Sequence, residues 1–175
     1  SLMVIQVVCL ALSLFGAVLF IQAGALKLLK SEQYRITAEQ LLGRNLPHIT
    51  ILLLGLLEMA VGFGFLHVGT RVFASITGGV LLVTYAIAMA RQLKVGNINL
   101  RCGCSALNSN ILVSNDLISR NLLTAAVLFL VAVLGQPAPS LDFAVIGAVL
   151  AGVLILSYAS FEQVISIRQA QRGAV

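Results

Sequence analysis

The stretch "PHITILLLGLLEMAVGFGFLHV", residues 47–68, decides the fold. A helix needs about 20 mostly apolar residues to cross a bilayer, and this run is long enough. In lipid its backbone groups must bond within the segment, so it is a helix rather than a lone strand. One ionisable residue, Glu58, sits near its middle. Gly55, Glu58, Gly62, Phe65 and Gly69 fall on one helical stripe. Small residues let helices approach closely, so Glu58 is expected to face other helices and not lipid. A carboxyl at that depth is costly and therefore a functional candidate. Two readings of it stand: a structural carboxyl bonded to a neighbouring helix, or a proton-handling group.

Working outward, four further segments have the same character, at about 2–29, 72–91, 117–135 and 141–161. The whole chain is 59% hydrophobic and 10% charged, with a mean hydropathy of +1.04. A soluble domain carries about 25% charged residues, so this chain cannot cover a water-facing surface. The expected class is all-α: a polytopic membrane helical bundle of about five transmembrane helices, forming one integral membrane domain over residues 1–175. Gly69–Thr70 and "GQPAPS" at 135–140 read as tight turns. Residues 30–46 read as a polar loop, and 92–116 as the longest connection. The tail after Phe161 is expected to prolong the last helix before fraying. Ala23-Gly24-Ala25 resembles a signal-peptidase site, but no basic region precedes it and the apolar stretch is longer than such signals use.

The net charge of +5 and pI of about 9.6 raise the question of nucleic acid. The pattern argues against it, because the cations sit at the ends of apolar runs and never alternate with aromatics. With five crossings, Lys27, Lys30, Arg35, Arg44, Arg91, Lys94, Arg101, Arg120, Arg168 and Arg172 share one side, and Arg71 alone takes the other. The positive-inside rule makes the populated side cytoplasmic. The expected location is a bacterial inner membrane, with the N-terminus outside and residues 92–116 and the C-terminus inside. Lys27, on the stripe Gly16–Phe20–Ala23–Lys27, is expected to snorkel toward that side.

The polar loop contains "NLRCGCSALNSN", residues 99–110. Three cysteines are too few for a disulfide scaffold, so the close pair carries the interest. Cys9 lies near the opposite end of the first segment and reads as a small buried apolar residue. Cys102 and Cys104 can close a small ring if a turn brings their Cα atoms within about 4.4–6.8 Å. Gly103 supplies the conformational freedom such a ring needs. Strained, exposed disulfides tend to be labile or catalytic. Arg101 adjoins the pair, and Lys94 and Arg120 lie in or beside the loop; nearby cations enrich the nucleophilic thiolate. Ser114 reads as the cap of the fourth membrane helix, with Asp116 and Arg120 as an i, i+4 pair. Inert thiols are the bland alternative. A metal site is the other, with His48 joining the cysteines. It lacks a fourth ligand for zinc, although two thiolates suit copper(I). No resident metal is expected, and no haem or flavin motif is present.

These pieces together resemble a known family. "FIQAGALKLLKSEQYRITAEQLLGRNLP" is similar to the opening of MauE and DoxX-like membrane proteins, whose first helix ends in Ala-Gly-x-x-Lys. "GLLEMAVGFGFL" resembles their second helix. "CGC" followed by "SRNLL" at 119–123 resembles the MauE branch. The likeness covers about residues 15–125. MauE-like chains often continue Cys-Gly-Cys with Phe-Gly, whereas Ser105 and Ala106 stand here.

The resemblance implies a four-helix core plus one helix. It also implies a redox-associated membrane protein that works with a thioredoxin-like partner in maturing a disulfide-rich periplasmic enzyme subunit. On that basis Cys102, Cys104 and Arg101 are the expected reactive group, with Glu58, Arg120 and His48 as supporting candidates. The expected partners are the lipid bilayer and a thioredoxin-fold protein or other membrane subunits. A quinone or a partner protein would form the other redox end. Two rivals stand beside it: a non-catalytic accessory subunit whose loop disulfide is structural, and a small transporter or soft-metal carrier. Whether the chain is an enzyme in its own right stays open at this stage.

Overall fold

The computed structural model describes residues 2–97, 112–134 and 141–173. These residues form six α-helices: α1 (Leu2–Leu29), α2 (Ser31–Leu42), α3 (His48–Gly64), α4 (Arg71–Val95), α5 (Asn115–Val133) and α6 (Leu141–Gly173). Four of them, α1, α4, α5 and α6, are long and apolar enough to cross a membrane. The apolar α3 has 17 residues. At 1.5 Å per residue it reaches about 25 Å, slightly less than the hydrocarbon core. The architecture is the expected polytopic helical membrane bundle. Its outer surface is apolar, with Leu53, Phe63, Phe73, Val149 and Leu156 all exposed. Water would not tolerate so much exposed apolar surface, and lipid does.

The helices pack where small residues remove bulk. α1 and α3 run antiparallel with backbones in close contact. A Cβ on Gly24 would stand 2.6 Å from the Gly55 carbonyl oxygen, and one on Gly62 would stand 2.6 Å from Ile21. This is the close approach expected from the Gly55–Gly62 stripe. Gly69 is the exception, since it leaves the stripe and is exposed in a short 3-10 helix over Val68–Thr70. That helix stands where a tight turn was expected. Thr70 Oγ1 donates to the Gly64 carbonyl at 2.8 Å, and Arg71 Nε donates to that of Phe65 at 3.0 Å. Both bonds satisfy carbonyls that the end of α3 leaves open.

α4 runs parallel to α1, with Phe20 lying on Gly78, and antiparallel to α5, with Phe129 lying on Gly79. α6 runs along α1, with Leu10 against Gly147 and Phe15 edge-on to Tyr158 at 5.7 Å. These directions gather the C-terminal ends of α1, α4 and α6 and the N-terminal ends of α3 and α5 at one end of the bundle. A buried cluster of Met89, Val113, Leu117 and Ile165 fills that end.

Residues 31–42 are helical, not the polar loop expected. Tyr34 and Thr37 are buried on the inner face of α2, while Arg35 reaches Glu32 and Glu39 on the outer face. Such i, i+3 and i, i+4 pairs support a helix, although exposed ones add little. Gly43, in the left-handed region at φ 65°, ends it and donates to the Glu39 carbonyl. Residues 162–173 do continue the last helix, and they are built into the fold as described next.

Candidate functional site

The packing of Gly24 on Gly55 brings α1 and α3 into backbone contact at one depth. Lys27 lies one turn past Gly24 and Glu58 one turn past Gly55, and in this antiparallel pair their long side chains reach back across the glycine contact to meet. The Lys27 ammonium donates to Glu58 Oε2 at 2.8 Å and Oε1 at 3.0 Å. The Tyr85 hydroxyl of α4 donates to Glu58 Oε1 as well. Lys27 is 3% exposed and Glu58 is 1% exposed. The rings of Tyr34 and Tyr85 each lie 5.4 Å from the ammonium, within cation–π range. Glu58 therefore faces the bundle as expected. Lys27 does not snorkel, because a carboxylate at matching depth replaces the water its charge would otherwise seek.

A second ion pair joins α5 to α6. Arg120 Nη1 donates to Glu162 Oε1 at 2.6 Å, and Nη2 donates to Asn121 Oδ1 at 3.2 Å. Glu162 is fully buried, and the guanidinium lies 4.7 Å from the Tyr158 ring centre. The expected pairing of Arg120 with Asp116 is therefore replaced. Arg120 turns inward onto Glu162, and Asp116 is exposed. Tyr85 and Tyr158 line one small void between the two pairs.

Gln169, on the same extension of α6, holds the segment entering α5. Its Oε1 accepts from the Leu112 amide and its Nε2 donates to the Leu112 carbonyl, both at 2.9 Å. Ser114 then caps α5 as expected, its hydroxyl accepting from Leu117 N at 3.4 Å. On the other flank, α4 ends at Gly96 in the left-handed region, and Gln92 Nε2 donates to the Leu41 carbonyl of α2 at 2.5 Å. Residues 97 and 112 are thus both anchored at the end of the bundle that carries α2. Arg101, Cys102 and Cys104 lie outside the described residues, as does the 135–140 turn.

His48 begins α3 and is hydrogen-bonded through Nε2 to the Ser31 hydroxyl at 2.7 Å, which ties α2 to α3. Cys9 is buried and free in α1, as expected. In α2 the Arg35 hydrogen bond holds the Glu32 carboxyl below the usual carboxylate range. Burial pushes the Tyr34 phenol up, and the Glu58 and Glu162 charges push it the same way, so Tyr34 stays a neutral donor. No group of three or more His, Cys, Asp or Glu placed to hold a metal occurs among the described residues.

A cavity of about 220 Å³ lies between α3 and α4, with α2 across it. Lys27, Tyr34, Leu41, Ile51, Tyr85 and Met89 are among its lining residues, and its walls are almost wholly apolar. Reading the sequence missed Tyr34, Tyr85, Glu162 and Gln169. Three of them left signals: helical spacing of Tyr34, Thr37 and Leu41 inside a polar run, and a carboxylate and an amide, Glu162 and Gln169, seven residues apart on the tail.

The family model described as methylamine utilisation protein MauE matches residues 5–137. The chain belongs to the MauE family. The match covers α1 to α5, both residues of the Lys27–Glu58 pair and the Cys-Gly-Cys connection. It stops before α6, so Glu162 and Gln169 lie beyond it. No curated protein and no solved structure matches this MauE-family chain.

Proposed function

We propose that this MauE-family chain is a membrane thiol–disulfide redox protein working through Cys102 and Cys104. A thiolate of a thioredoxin-fold partner attacks the Cys102–Cys104 disulfide and forms a mixed disulfide. The partner's second thiol resolves it, so the partner leaves oxidised and the chain keeps a dithiol. A quinone or another protein then takes two electrons and two protons and restores the disulfide. Arg101 favours the thiolate form of its neighbour. The family description, methylamine utilisation protein MauE, supports a role in methylamine utilisation, and the work proposed there is support for the maturation of a redox protein.

The observation that carries this reading is Cys-Gly-Cys inside the family match, in a connection whose two ends the bundle holds firmly. Trapping tests it. Cys104→Ser should accumulate a mixed disulfide through Cys102, whereas wild type should alternate between alkylatable and oxidised forms under mild reduction and oxidation. A pair that never changes state overturns the reading.

A second reading is a non-catalytic accessory subunit. The uncovered apolar face of α6, with Val145, Val149, Val153 and Leu156 exposed, favours it, since another membrane subunit could cover that face. Cys102→Ser/Cys104→Ser separates the two. Retained assembly with lost redox activity supports the first, and lost assembly supports the second.

A further inference from the structure

We propose that the cavity between α3 and α4 is a binding site for the ring of a lipid-soluble quinone. The argument starts from size. An apolar cavity of about 150 Å³ is enough to bind benzene, so 220 Å³ takes one substituted six-membered ring and excludes a flavin or a haem. The walls come next. The Tyr34 and Tyr85 side chains with Leu41, Ile51 and Leu54 present an apolar, partly aromatic surface. Among the described residues Lys27 is the one charged lining residue, and Glu58 already matches its charge through both carboxylate oxygens. An anionic lipid therefore meets no unmatched cation here, and a neutral ligand is favoured.

The donors narrow the class further. An ammonium has three N–H groups, and Glu58 takes two of those on Lys27. The rest of the ammonium faces the Tyr34 and Tyr85 rings, and among the described residues the hydroxyl of Tyr34, a lining residue, has no hydrogen-bond partner. That hydroxyl is a donor open to an acceptor on a ligand in the cavity. A quinone, a neutral ring carrying carbonyl oxygens, supplies such an acceptor. The route in lies along the seam of α3 and α4, where lining residues Thr50, Leu54 and Leu81 are partly exposed and Thr84 is exposed.

Binding of the quinone stands on this geometry alone. Its service as electron acceptor rests on the thiol reading above: two S–H bonds break, one S–S bond forms, and the quinone gains two electrons and two protons as two O–H bonds form.

The chain has three tyrosines and no tryptophan, and two of the tyrosines line the cavity, so tyrosine fluorescence reports directly on it. Decylubiquinone titrated into the purified full chain should quench that emission saturably. Ala38→Leu/Ala88→Leu fills the cavity and should weaken binding at least about tenfold, with a melting temperature no lower than wild type showing that it folds. Tyr34→Phe should weaken binding by about tenfold through loss of one hydrogen bond. Palmitate should not compete. Cys102→Ser/Cys104→Ser should bind as wild type does. Non-saturable quenching, equal binding by the filled variant or by Tyr34→Phe, or displacement by palmitate overturns the site, and leaves the thiol reading standing. Saturable binding in a protein whose thiols never respond to the quinone upholds the site and overturns the acceptor role.

Discussion

Lys27 and Glu58 hold each other inside the bundle, and neither is tolerable there alone. Removing one partner of a buried pair leaves an uncompensated charge, at a cost of about 3–5 kcal/mol. Lys27→Met and Glu58→Gln should each lower the melting temperature in detergent sharply. The double variant should recover most of the loss, since the two effects share one cause. Additive losses would show that the pair is not the unit. The same comparison at Arg120→Met and Glu162→Gln should give the same pattern, because that pair is equally buried. Tyr85→Phe removes a donor to Glu58 and should cost less, about 1–3 kcal/mol. The charges at these positions were plain in the sequence. Their pairing was not, because nothing local tells a lysine near a helix end whether water or a carboxylate will be its neighbour.

At the scale of elements, the α1–α3 contact is the most sensitive to bulk. Gly24→Leu places a side chain where even a Cβ would meet the Gly55 carbonyl, and the helices must separate. A cost of about 1–3 kcal/mol or more is expected from such overpacking, read as a lower melting temperature; Gly43→Ala, whose Cβ meets nothing, should act only through its left-handed backbone. The extension of α6 has a different role. Gln169→Ala should leave global stability nearly unchanged while loosening Leu112 and the entry to α5. Faster amide exchange confined to Leu112–Leu117 is the expected signature, and unchanged exchange would show that the clamp is idle. α2 was legible only in part. Its polar composition suggested a loop, while its inward residues Tyr34 and Thr37 sat at helical spacing inside a run whose charges belong to the outer face.

For the molecule as a whole, the open quantity is which compartment the basic end faces. Lys27 and Arg120 are neutralised by buried partners, so they add nothing to the charge asymmetry. Lys30, Arg35, Arg44, Arg91, Lys94 and Arg168 remain as cations of that end, and on the positive-inside rule we propose that it faces the cytoplasm. In a Cys9→Ser background, an impermeant maleimide should label Cys102 only after the cells are opened. Labelling of intact cells would reverse the orientation. The apolar runs, the breakers between them and the glycine stripe were decided by sequence alone, because lipid requires helices of a given length and glycine permits close contact wherever it stands. Which buried charges pair, how α2 spans the cavity and how α6 reaches back to Leu112 were decided by tertiary structure. Those features depend on groups tens of residues apart reaching the same depth, and that coincidence exists only once the helices have packed.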